Sequence, residues 1–462
     1  MLLFMIISLV ILKILSDAYF TRHYLLPTLN FMSIWTSSTK HQIRLFSASK
    51  MVKDGAYDLD FRYFLDRSLP VTRYATIPLN LISKKGGNHA VSFAEMTQVD
   101  DADWKIPINP DVFNLYPQGL SLPAVIRNYR ETGRVPEIPI NLPNLKVRNV
   151  SSSVCPPEGN KGHNHDLVVI VKSAVYNFEN RQNFRQLYAH LRNNSVKYPY
   201  RVGIVFFVGL PSSARDNVFQ RDGFNITLPD RAGSSLINLT SRRAEILTRL
   251  EEEVLQHDDL VVGDFEDTYF NLSLKLHLTF VWAARFCCEH PGFMFLDDDM
   301  AFNEQLLYTV LATLPGDWRR TVAIAKTRWN SPTVRPSETP ISQKWALAKE
   351  EVPWPVHAPY ANGYFYILGY DHVADLALAM FFTKPIFIDD VWLGLNFGLI
   401  KFECVAGSRK MSRNSRIGIL CFTCRVFGNS RPEKSAGFSD IVALPTTPLD
   451  LVDDSRRFLP WQ

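Results

Sequence analysis

Three consecutive carboxylates, Asp297-Asp298-Asp299, close the apolar run Phe293-Met-Phe-Leu296. Adjacent carboxylates repel one another, so bulk solvent or a cation must compensate them. Oxygen donors of this kind suit hard divalent ions such as Mn²⁺ or Mg²⁺. In an extended turn alternate side chains project to the same side, which lets Asp297 and Asp299 address an ion and its ligand together. A solvated acidic loop is the competing reading of such a triplet. Its place at the end of an apolar strand, where open parallel sheets bind ligands, favours the cation site.

A second acidic pair, Asp389-Asp390, lies between the apolar run Ala379 to Phe382 and the helix-like Trp392-Leu-Gly-Leu395. Two readings stand side by side. An aspartate before a helix caps it, whereas a carboxylate among apolar neighbours has a raised pKa and serves as a general base. Between the two acidic motifs runs Tyr360-Ala-Asn-Gly-Tyr-Phe-Tyr-Ile-Leu-Gly369, whose rings can stack on sugars or fill a core. Cys421-Phe-Thr-Cys424 resembles half a zinc site. There is no second such pair and no histidine after His372, which favours a disulfide or buried thiols.

The elements that must carry these groups begin at Asp166. Leu167-Val-Val-Ile-Val171, Val202 to Val208, Leu260 to Asp264 and Phe293 to Leu296 read as buried strands. Between them, Asn177 to Asn193 carries Phe184, Leu187, Tyr188 and Leu191 at helical spacing, and Arg242 to Gln256 and Leu274 to Cys288 are also helix-like. Strand alternating with helix predicts an α/β fold with a mostly parallel sheet. The preceding segment, 21–161, is rich in proline and is expected to be an extended stem whose last part packs on the core. Residues 162–430 form the expected catalytic domain and 431–462 a tail.

Met1 to Leu12 carry no charge, and the stretch 1–20 is expected to be a signal anchor, with a cleaved signal or an incorrect chain start as alternatives. Glycosylation tripeptides at Asn149, Asn193, Asn225, Asn238 and Asn271, with six cysteines, fit an oxidising lumen. Fifty basic against forty-six acidic residues leave +4, too little and too dispersed for nucleic acid. An aromatic content of 12% argues against wholesale disorder.

Taken in order, these motifs resemble the β-1,3-galactosyltransferase and N-acetylglucosaminyltransferase group, glycosyltransferase family 31. The resemblance starts at Val168-Val-Ile-Val-Lys-Ser173 and Asn177 to Tyr188, where Leu187-Tyr188 replaces the family's Thr-Trp pair. It continues through Phe206 to Gly209, Asp264 to Lys275, Phe295-Leu-Asp-Asp-Asp299, Lys344-Trp345, Pro359 to Gly363 and Asp389-Asp-Val391, covering Cys155 to Ile400. It implies a nucleotide-sugar-binding GT-A-type domain with a mixed central sheet, lumenal to a single-pass type II anchor in the Golgi membrane. Asp299 and Asp297 would hold Mn²⁺ or Mg²⁺ on the diphosphate of UDP-galactose or UDP-N-acetylglucosamine, with Asp297 and Asp298 contacting the cofactor. Asp390 would be the base that activates a hydroxyl of a glycoprotein or glycolipid glycan, with Asp389 as the fallback. Arg181, Arg185 and Lys275 match the family's basic positions and would meet phosphate or position the site. One departure stands out: relatives supply a metal-binding histidine beyond the Asp-Asp-Val motif, and this chain has none there. A non-catalytic glycan-binding relative is the alternative reading, and a hydrolase using the acidic groups is a third.

Overall fold

The computed structural model describes residues 55–157, 165–192, 199–213, 218–221, 224–227, 234–336, 344–400 and 442–443. Residues 1–20, with Cys404, Cys421 and Cys424, lie outside them.

One sheet organises the rest. In chain order its strands are β1 (Tyr57–Asp58), β2 (Lys146–Asn149), β3 (Leu167–Lys172), β4 (Val202–Leu210), β5 (Leu260–Glu266), β6 (Gly292–Asp297), β7 (Ala323–Arg328) and β8 (Tyr360–Leu368). The spatial order is β1-β2-β5-β4-β3-β6-β8-β7. The four central strands β5, β4, β3 and β6 are parallel. The flanking strands run antiparallel, so the sheet is mixed. The helices named below are α1 (Leu122–Thr132), α2 (Phe178–Leu187), α3 (Arg243–Gln256), α4 (Leu272–Phe286), α5 (Glu304–Ala312), α6 (Tyr370–Ala379) and α7 (Asp389–Ile400).

The central strands are apolar on both faces because helices cover both. Val168, Ile170, Phe293 and Phe295 pack with α4, α6 and α7 in one layer. Leu167, Val169, Val171, Met294 and Leu296 pack with Phe184 of α2, Ile246 and Leu250 of α3 and Leu307 of α5 in the other. This alternation decides which way each residue at a strand end turns. Helix α4 is buried around nearly its whole circumference, which explains its apolar sequence.

The proline-rich segment departs from the expected stem. From residue 55 onward it belongs to the same core, not just in its last part: Leu59, Ile77, Trp104, Val125, Tyr129 and Leu145 join the α4–α6–α7 layer. Phe61 stacks on Phe381 at 4.3 Å, the Tyr116 hydroxyl donates to Lys384 O at 2.6 Å, and Asn141 donates to Met380 O at 2.8 Å. Proline is tolerated because it stands where no amide donor is needed, as at the first turn of α1. Cys155 and Cys287 form a disulfide that ties the end of this segment to the residue after α4.

Candidate functional site

The two acidic motifs meet at the carboxyl edge of the sheet. In the register of β3 and β6, Asp297 lies directly beside Lys172. The Lys172 ammonium donates to Asp297 Oδ1 at 2.9 Å and to Gly363 O at 2.5 Å. The Gly363 amide hydrogen-bonds the Asp390 carboxylate, whose Oδ1 also accepts from the Val391 amide at 2.8 Å. One residue of β8 thus joins the lysine of the first motif, through its carbonyl, to the acid of the second, through its amide. Burial works against the charge of Lys172, but Asp297, Asp389 and the Tyr366 phenol outweigh it and hold the ammonium above its ordinary range. Burial, and then the neighbouring charge of Asp389, push the Asp390 carboxyl up to about 7; Lys172 and the two amides pull the other way.

Local packing explains why α7 begins here. A Cβ at Gly394 would stand 2.3 Å from Tyr360 Cβ and 2.6 Å from its Cα, so only glycine lets α7 lie this close to β8. A Cβ at Gly363 would meet Asp390 Cβ at 3.3 Å. Behind them the Trp392 indole donates to Thr383 Oγ1 at 3.1 Å, and Thr383 donates to Asn396 Oδ1 at 3.0 Å, a closed polar network inside the core. The Ser273 hydroxyl of α4 donates to Ile386 O, fixing the residues just before the acid pair.

Alternation along β6 separates the three aspartates. Asp297 faces Lys172, while Asp298 turns to α2, where its carboxylate accepts from Ser173 Oγ at 2.6 Å, Asn177 Nδ2 at 2.9 Å and Asn180 Nδ2 at 3.4 Å. Asp298 thereby ties the start of α2 to the end of β6. Asp299 is exposed at the turn.

The donor groups of the three basic residues are directed at protein oxygens. All five N–H groups of Arg181 are used: Glu253 receives Nε at 2.9 Å and Nη2 at 2.7 Å, Ser173 Oγ and Ala174 O receive Nη1, and Val175 O receives Nη2. Arg185 bonds Asp259 through Nε at 2.8 Å and Nη2 at 2.9 Å, and Glu253 at 2.6 Å. Burial alone would raise the Glu253 carboxyl, but the two arginines outweigh it and hold it below its usual range. Lys275 donates to Ser173 O at 2.6 Å and to both oxygens of Asp267. Asp267 Oδ2 also accepts the amides of Val175 and Gly209, each at 3.0 Å. This ion pair stitches together the carboxyl ends of β3, β4 and β5.

Among the described residues no group of three or more His, Cys, Asp or Glu is arranged to hold a metal. Asp297, whose second oxygen accepts no hydrogen bond among them, and exposed Asp299 offer two hard donors. Such a set suits an ion that keeps water and takes substrate phosphate oxygens, the usual mode of Mg²⁺, and does not suit an all-protein cage. Around the acids lie Tyr269, which hydrogen-bonds Trp345, and Tyr366, whose buried hydroxyl has no hydrogen-bond partner among the described residues. Asp389 and Asp390 contribute to the upward shift of both phenols, after burial. Reading the sequence missed Lys172 as a site residue; the available signal was a lysine closing an uninterrupted apolar strand at the sheet's carboxyl edge. In the aromatic run, Ala361, Phe365, Tyr366 and Ile367 are buried, so it fills the core.

Residues 236–406 match the family model described as galactosyltransferase. That span includes both acidic motifs and Lys275, while Arg181, Arg185 and Lys172 precede it. The chain is 31% identical over 163 residues to β-1,3-galactosyltransferase 5 of Pan troglodytes, covering 35% of this chain and 52% of that protein. It is 24% identical over 230 residues to the human lactosylceramide 1,3-N-acetyl-β-D-glucosaminyltransferase, covering 50% and 53%. A third relative, UDP-GalNAc:β-1,3-N-acetylgalactosaminyltransferase 1 of Sus scrofa, is 32% identical over 155 residues, covering 33% and 45%. The chain spans about half the length of the curated relatives it matches. The resemblance read from the motifs is thereby borne out.

Proposed function

We propose that this protein is an inverting glycosyltransferase that moves galactose or an N-acetylhexosamine from a UDP-sugar to a glycan hydroxyl, forming a β-1,3 linkage. The observation that carries this reading is the shared edge: Lys172 and the Gly363 backbone hold the Asp297 motif and Asp390 together. The names of the relatives and the galactosyltransferase match support the reaction class.

In this mechanism ionised Asp390 takes the proton of the acceptor hydroxyl as that oxygen attacks the anomeric carbon. The bond from that carbon to the diphosphate oxygen breaks on the opposite face, so the configuration inverts and UDP leaves with the electron pair. Asp297 and Asp299 would hold Mn²⁺ or Mg²⁺, which supplies Lewis-acid stabilisation of the departing diphosphate. Asp389, beside the base, keeps the Asp390 proton affinity high. Arg181, Arg185 and Lys275 hold the strand ends in register and do not touch the donor. The Cys155–Cys287 disulfide and the glycosylation tripeptides at Asn149, Asn238 and Asn271 support a secretory compartment. In this reading the chain is held at the Golgi membrane by its first twenty residues, as a type II protein with a lumenal catalytic domain.

The test is a donor screen. The purified protein is incubated with UDP-galactose, UDP-N-acetylglucosamine and UDP-N-acetylgalactosamine, with a panel of β-linked acceptors, with and without Mn²⁺. Transfer from one donor is expected. Absence of both turnover and UDP binding in every combination overturns the reading, and UDP binding without turnover points to the non-catalytic relative.

A further inference from the structure

Lys172 carries more than a structural bond. Its ammonium occupies Oδ1 of Asp297, the carboxylate a divalent ion must also use, and it lies in the field of Asp389 as well. Two cations on one carboxylate repel, and more strongly where burial lowers the effective dielectric. The lysine backbone is fixed between β4 and β6 in the middle of the sheet, so the ammonium moves only as far as its side chain reaches. It has somewhere to stay, because Gly363 O accepts from the same ammonium.

Resting on the transferase reading above, we propose that Lys172 is a resident counter-ion that competes with the divalent ion for Asp297. Without donor it neutralises the acidic edge of the sheet. When ion and nucleotide arrive together, the ammonium yields Oδ1 and remains on Gly363 O, and the diphosphate supplies the negative charge that lets both cations stay. The ion alone therefore binds weakly and the ion with UDP binds well. This coupling is reciprocal, so the ion strengthens UDP by the same factor.

The experiment is calorimetric titration of Mn²⁺, with and without UDP, into the unmodified protein, Lys172→Met, Asp297→Asn and the double variant. Lys172→Met is expected to bind Mn²⁺ alone about tenfold tighter, equivalent to about 1.4 kcal/mol, and to lose about that much of the gain from UDP. In the Asp297→Asn background the Lys172 substitution is expected to change nothing. An unchanged or weaker Mn²⁺ affinity in Lys172→Met overturns the proposal. So does the same gain persisting without the Asp297 carboxylate, which would make Lys172 a diffuse field effect. Melting curves check folding, and Lys172→Gln, which keeps a donor for Gly363 O without the charge, repeats the test if Met is not tolerated. Failure of both variants to fold makes Lys172 a structural tie and also overturns it. Normal Mn²⁺-dependent UDP binding with an inert Lys172→Met sinks this inference alone. An unmodified protein that binds neither sinks the transferase reading with it.

Discussion

Between α2 and α3, Arg181 and Arg185 face Glu253 and Asp259, two cations for two carboxylates, with every guanidinium hydrogen of Arg181 directed at a protein oxygen. At the carboxyl edge of the same sheet, the single ammonium of Lys172 serves Asp297 and lies in the field of Asp389, with Asp390 linked through Gly363. The first cluster is buried and closed in charge, whereas the second is part-buried and keeps an excess of negative charge. A closed cluster fixes geometry and has nothing left to offer a ligand. An open one stays acidic until something cationic or protic arrives, as a site for an ion, a diphosphate and an acceptor proton requires.

The sharpest break of this contrast is at Asp390. Asp390→Asn should cut transfer by about 10²–10⁴-fold while UDP binding and melting temperature stay near those of the unmodified protein; a full-rate variant would remove Asp390 as base. Arg181→Met should do the reverse. Leaving buried Glu253 with Arg185 alone, and Ser173, Ala174 and Val175 without their donor, should cost about 3–5 kcal/mol of stability, read by denaturant unfolding, whereas UDP affinity of the still-folded fraction should hold. A smaller effect is expected from Gly394→Ala, where overpacking against Tyr360 should cost about 1–3 kcal/mol and lower transfer with it, seen by melting and assay together. The finest test is pH. A base must be ionised to act, and burial with the Asp389 charge raises Asp390 to about 7, so kcat/KM should fall about tenfold per unit as pH drops below that value. Asp389→Asn removes the like charge and should move this limb to lower pH without returning it to the ordinary aspartate range, because burial is the larger cause. A limb that does not move would uncouple the pair.

Much of this was legible in the chain itself, for local reasons. Uninterrupted apolar runs exposed β3, β4 and β6, and Phe184, Leu187, Tyr188 and Leu191 exposed α2. The first acidic motif could be read because it stands at the end of such a run, and the second because it precedes a helix-like segment and matches the family's order of motifs. What stayed hidden depends on distant partners. Arg181 looked available for phosphate until Glu253, 72 positions on, closed over it. Residues 55–157 looked like a stem because their contacts are single side chains reaching far along the chain, such as Tyr116 to Lys384 and Phe61 to Phe381. Strand β8 was obscured because its glycine, asparagine and tyrosines break the apolar run, although its second half is fully buried.

The opposed directions of Asp297 and Asp298 have an evolutionary and engineering consequence. Their roles are assigned by strand parity, not by chemistry, since both are aspartates at the end of β6. Deleting one residue within Gly292–Asp297 would bring Asp298 beside Lys172 and Asp299 to the α2 tether, whereas inserting one would put Leu296 beside Lys172 and leave its ammonium without a carboxylate. Length polymorphism should therefore be purged from this strand even where its apolar identities drift freely, and redesign of donor choice is better attempted in the surrounding loops.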